Sequence, residues 1–155
     1  MTEEITTCQI CGRIIKSKRG LIAHHGYKRP DIGWQTASCM GARGLPYEVS
    51  CNLIPPAIER VSKQIENIEN KIKDYMTNPP EKITTEWLGQ KRDVVRPYGF
   101  NPEIKTHNEY MPKSYENAYR KNLWDMKRQL GANVEFKKYL EDRLVKWKAK
   151  TEAMQ

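Results

Sequence analysis

The chain has 155 residues, 38% of them hydrophobic and 30% charged, with 27 Lys and Arg against 19 Asp and Glu for a net charge of +8. That is enough for one or two small domains and too little for a large multidomain enzyme. No apolar stretch approaches the length of a membrane span and the acidic start Met1-Thr-Glu-Glu is unlike a secretory signal, so a cytoplasmic protein with a polyanionic partner is expected.

All four cysteines and two of the three histidines fall between Cys8 and Cys51. Cys8-Gln-Ile-Cys11 has the C-x2-C spacing that lets two thiolates of one tight turn face a single ion. Beside a histidine pair, in a chain without a signal, that spacing points to a metal site and not to disulfides. Ile15, Leu21 and His24 follow at the positions that complete the opening of a two-Cys two-His zinc finger, which residues 8–24 resemble. The resemblance implies Zn2+, a small hairpin carrying the cysteines, a short helix ending in His24, and Ile15 and Leu21 packed beneath the ion. It stops there, because Gly26, Tyr27, Lys28, Arg29 and Pro30 supply no second histidine. Cys39 and Cys51 are the candidates for the missing ligand, and Cys39 is preferred as the nearer one. The expected closed site is Cys8, Cys11, His24 and Cys39, with His25 and Cys51 as rivals.

Residues 1–51 carry 7 basic and 4 acidic side chains. Arg13, Lys16, Lys18, Arg19, Lys28, Arg29 and Arg43 lie around the expected site with Trp34 interleaved, a mixture suited to phosphates and exposed bases. In the finger family the bases are read from the helix that ends in the first histidine. The resemblance therefore places Lys16, Lys18 and Arg19 nearest to such a role.

His24-His25-Gly26, Arg43 and Cys51-Asn52 are also loosely similar to phage recombination endonucleases of the His-Asn-His class. That likeness would make His25 a general base and Asn52 its orienting residue. Ala23 stands where that class has Asp, and the second C-x2-C is absent, so the magnesium-assisted mechanism lacks a part. A binding protein without a catalytic site is expected.

Beyond Asn52, Ile58, Val61, Ile65, Ile68, Ile72 and Tyr75 recur in steps of three and four and predict a helix over 57–76 with a heptad seam. Pro55 and Pro56 suit its first turn, and Asn78-Pro79-Pro80 ends it. Residues 77–112 contain five prolines and read as a crossover, with Ile83 to Trp87 extended and its apolar side chains packed along the helices. Tyr119, Leu123, Met126, Leu130, Leu140, Leu144 and Trp147 then keep one phase across Gly131, predicting a single long helix over 113–149.

The fold class expected is mainly α: a small zinc-finger-like α+β module followed by a long, coiled-coil-like antiparallel helical hairpin. Its parts are a zinc-binding module at 1–52, a first hairpin helix at 53–76, the crossover at 77–112 and a second helix at 113–155. The seam also permits a homodimer. The expected function is non-enzymatic zinc-dependent binding of nucleic acid, DNA in the first instance. In general look the chain is similar to small accessory proteins of phages and plasmids, which implies an alternative, a protein-binding adaptor or an inhibitor of a host defence protein.

Overall fold

The structure, a computed structural model, describes residues 4–29, 32–103 and 114–153. Its described elements, in chain order, are strands β1 (Glu4–Thr7), β2 (Ile14–Lys18), β3 (Leu21–Ile22), β4 (Gly26–Arg29) and β5 (Ile32–Ser38), helix α1 (Ile54–Thr77), strands β6 (Lys82–Trp87) and β7 (Gln90–Val95), and helix α2 (Tyr115–Ala153). They divide into two compact units. One holds the residues up to Ile65 together with those from Ala132 onward; the other is Glu66–Gly131.

In the first unit, β1, β2 and β3 form an antiparallel sheet, with Thr7 opposite Ile14 and Lys18 opposite Leu21. The β2–β3 turn is Arg19-Gly20, both at positive φ (56° and 76°), the two-residue type I′ turn that matches the twist of paired strands. Strands β4 and β5 form a separate antiparallel pair. The start of α1 and the last turns of α2 complete this unit. Its core joins Cys8, Ile10 and Cys39 to Ile54, Ala57 and Val61 of α1 and to Phe136 and Leu140 of α2. Gln9 is fully buried yet satisfied. Its amide nitrogen donates to the Leu45 carbonyl (2.8 Å) and to Asn52 Oδ1 (3.1 Å), and its oxygen accepts from the Leu53 N–H (2.9 Å) at the entry to α1.

In the second unit, β6 and β7 form a hairpin in register from Lys82 opposite Val95 to Trp87 opposite Gln90. Its turn, Leu88-Gly89, again has two positive φ angles, 50° and 75°. Ile83 packs with Tyr115, Ala118 and Tyr119, and Tyr75 stacks on Tyr119 with ring centroids 4.7 Å apart. Phe100 meets both Tyr115 and Tyr119 edge-on, the arrangement aromatic quadrupoles favour. The extended stretch expected at Ile83 to Trp87 is β6.

The mainly α expectation is overturned. Every described element before Ile54 is a strand, so the N-terminal module is β-rich and lacks the helix that the finger resemblance implies between Ser17 and Ala23. Among the described residues no helical hairpin is evident either. The helices are present, α1 ending at Thr77 ahead of Asn78-Pro79-Pro80 and α2 running unbroken past Gly131, but a β-hairpin intervenes between them. Their apolar faces do not form one coiled-coil stripe. Val61, Phe136 and Leu140 belong to the cysteine-containing core, whereas Tyr75, Tyr119 and Leu123 belong to the aromatic cluster of the other unit. A three–four spacing records which face of a helix is buried and not what buries it. No helix among the described residues is long and apolar enough to cross a membrane.

Candidate metal centre

Three segments bring the site together. The first is the knuckle Cys8–Cys11, closed by the Gly12 N–H donating to the Cys8 carbonyl (3.1 Å) and the Cys8 N–H donating to the Arg13 carbonyl (2.9 Å). The second is the extended link between β3 and β4, which carries His25. The third is the turn after β5 that begins at Cys39, whose N–H donates to the His25 carbonyl (2.9 Å).

The ligand atoms of Cys8, Cys11, His25 and Cys39 all lie within 4.8 Å of one another. Cys8 Sγ and Cys39 Sγ are 3.8 Å apart, and Cys11 Sγ and His25 Nε2 are 3.4 Å apart. Around a tetrahedral zinc with Zn–S of about 2.3 Å and Zn–N of about 2.05 Å, those edges would be about 3.8 Å and about 3.6 Å. The longest separation therefore needs to contract by only about 1 Å to close the tetrahedron. All four cysteines are free, and a disulfide would need a sulfur separation of about 2.05 Å.

The surroundings suit thiolates. The N–H groups of Ile10 and Cys11 donate to Cys8 Sγ, that of Arg13 to Cys11 Sγ and that of Gly41 to Cys39 Sγ, so each sulfur accepts from the residue two places on. Hydrogen bonds from Cys39 and Cys8 pull the Cys11 thiol far below its ordinary value, while the same contacts with Cys11 push Cys8 and Cys39 above theirs. Three thiols this close cannot all carry charge unaided; a dication at their centre lets all three ionise. His25 Nδ1–H donates to the Ala23 carbonyl (2.8 Å), which fixes the tautomer and leaves the Nε2 lone pair facing the sulfurs.

The expected histidine was the wrong one of an adjacent pair. His24 is exposed and its Nε2 lies 2.5 Å from Ser38 Oγ, outside the cluster. Neighbouring residues of an extended chain point to opposite faces, whereas the expected helix would have aimed His24 inward. Leu21 shows the same reversal: it is 43% exposed, and Ile22 is the buried residue. Cys51 packs at the edge of the core but does not join the ligand group.

Gly41 holds the third segment against the first, since a Cβ there would stand 2.3 Å from Cys8 Sγ. Gly12 does the same toward α2, where a Cβ would stand 2.2 Å from the Tyr139 hydroxyl. The knuckle's carbonyls meet Arg143, whose guanidinium also lies over the Tyr47 ring, 3.9 Å from its centroid. Neither glycine nor Arg143 announces itself in the spacing of cysteines and histidines.

Of the basic residues singled out in the sequence, Arg13 is engaged inside the module, with its guanidinium donating to the Gly26 carbonyl and against Cys11. It is not part of an open face. Lys16 and Lys18 are exposed on one face of β2, opposite Ser17, which is buried. Lys18, Arg19, His24 and Arg43 surround one open depression floored by Leu21, Ile22 and Ala23. The side chains of Lys28, Arg29 and Trp34 lie outside what the structure describes.

The chain matches no protein-family model, no curated protein and no solved structure.

Proposed function

We propose that this is a non-enzymatic nucleic-acid-binding protein whose N-terminal unit is stapled by zinc. Cys8, Cys11, His25 and Cys39 would hold the ion, which would supply folding free energy to a β-rich segment with little core of its own. The observation that carries the binding reading is the convergence of Lys18, Arg19, His24 and Arg43 on one depression, with Lys16 continuing along the same strand face. The two segments forming it are locked together. The Ile22 N–H donates to the Gly44 carbonyl and the Arg43 N–H donates to the Ile22 carbonyl, both at 2.9 Å. Cations on a stiff frame suit a phosphodiester backbone.

The endonuclease reading loses its parts. His25, its general base, faces Cys11 Sγ, and the Asn52 side chain accepts from Gln9 Nε2 and Ser50 Oγ instead of orienting a histidine. A protein-binding adaptor, including an inhibitor of a host protein, is favoured by a different observation. Leu88, Val95 and Tyr98 of the second unit are exposed to 87%, 69% and 107%.

Titration with nucleic acid at several salt concentrations separates the two. The nucleic-acid reading predicts a linear fall of log affinity with log salt, with a slope set by the phosphates neutralised. Absence of binding at low salt, with salt-insensitive association to a protein, would favour the adaptor.

A further inference from the structure

The depression on the metal unit is built at a conformational cost that structure alone does not require. Arg19 and Arg43, which line it, hold φ of 56° and 65°, the left-handed region that is strained for a residue with a side chain. Asn or Gly would relieve both positions. Arg19 occupies the first place of a type I′ turn, where Asn before Gly20 is the preferred pair. Arg43 follows an equally tight path between the Ala42 N–H bond to the Cys39 carbonyl and the Gly44 N–H bond to the Gly41 carbonyl. Of the three described non-glycine residues at positive φ, Leu88 sits at the tip of the other hairpin, and the remaining two are arginines that line the same depression.

Its dimensions and chemistry narrow the occupant. The depression is shallow and open to solvent, with about 400 Å3 of space above its lining. Its rim is cationic, with Lys18, Arg19 and Arg43, and His24 is held by Ser38 at 2.5 Å. Its floor is apolar: Ile22 is buried and Leu21 is 43% exposed. A duplex presents phosphates but keeps its base faces stacked, so an apolar floor gains nothing from it. A single strand offers both, a phosphate for the rim and an unstacked base face for Leu21.

Building on the nucleic-acid reading above, we propose that Lys18, Arg19, His24, Arg43 and Leu21 form a seat for one unstacked nucleotide of a single-stranded polynucleotide. The arginines hold its phosphate from strained backbone positions. Relief of that strain should stabilise the protein and empty the seat together, an opposition that a merely structural arginine would not produce.

The test uses the full chain with zinc bound, as wild type, Arg19→Asn and Arg43→Asn. Each is titrated with fluorescent DNA and RNA single strands of roughly 20 nucleotides and with the duplex of the same sequence. Wild type should bind one or both single strands at least about tenfold tighter than the duplex, and each variant should lose about tenfold while melting at the same or a higher temperature. The two single strands decide between DNA and RNA. Variants that bind like wild type, or a preference for duplex, would overturn the seat while leaving nucleic-acid binding standing. Failure of wild type to bind any of the three would overturn both.

Discussion

Arg143 Nη2 donates to the Cys8 carbonyl at 3.0 Å, and Nε of the same guanidinium donates to the Gln9 carbonyl at 3.0 Å. The knuckle that carries two of the four ligand atoms is thus fastened to a helix from the far end of the chain. Tyr47 completes the clamp. Its ring lies under the guanidinium, its hydroxyl donates to the Arg143 carbonyl (2.6 Å), and its own carbonyl accepts from Trp147 Nε1 (2.8 Å).

Replacing Arg143 by Ala should therefore leave two knuckle carbonyls without their charged donor and cost about 3 kcal/mol in denaturant unfolding of the zinc-loaded protein. Arg143→Lys should recover less than half of that, because a point charge cannot bridge two carbonyls and stack on Tyr47 at once. A loss within about 0.5 kcal/mol, the ordinary range for a surface substitution, would contradict the clamp.

Gly41→Ala should weaken zinc binding by about tenfold or more, since the new Cβ would stand 2.3 Å from Cys8 Sγ and must push the turn or the thiolate aside. Competition against a chromophoric chelator measures it. An unchanged affinity would mean that the turn after Cys39 is free to retreat.

Leu88 carries a left-handed φ of 50° at the tip of the β6–β7 hairpin and is 87% exposed. Leu88→Asn should raise stability by roughly 0.5–1 kcal/mol, because Asn-Gly is the preferred type I′ pair and no packing is lost. A lowered thermal midpoint would show that the tip has a contact the structure does not reveal.

Tyr119 is the centre of the second unit, 1% exposed and stacked on Tyr75, with its hydroxyl donating to the Tyr75 carbonyl at 3.2 Å. Tyr119→Ala should cost roughly 3–5 kcal/mol and collapse the near-ultraviolet dichroism of the aromatic cluster. A well-folded variant within about 1 kcal/mol of wild type would place the core elsewhere.

Much of this organisation was legible in the sequence. The C-x2-C knuckle, Cys39 in preference to Cys51, and both long helices follow from spacings that physical chemistry makes specific. What failed was whatever depended on backbone direction over two or three residues. Leu21 and His24 fit one face of a short helix, whereas the Arg19-Gly20 turn, an atypical type I′ pair, makes the segment a hairpin with Ile22 inward, and His25 is aimed in the link beyond it by its bonds to the Ala23 carbonyl and from the Cys39 N–H. Leu88-Gly89 hid the second hairpin in the same way, because the usual Asn or Asp is missing from the first position. The heptad phase of Ile58 to Tyr75 was real but did not reveal that its partners change along the helix, from Cys8, Ile10, Cys39 and the α2 residues Phe136 and Leu140 at one end to a tyrosine cluster at the other.

The central claim is the ligand set, and the most direct measurement is zinc per chain by mass spectrometry under native conditions for wild type, His24→Ala, His25→Ala and Cys51→Ser. One zinc per chain in wild type, His24→Ala and Cys51→Ser, with loss of the metal in His25→Ala, is the predicted result. A His25→Ala protein that keeps its zinc while His24→Ala loses it would contradict the site described here.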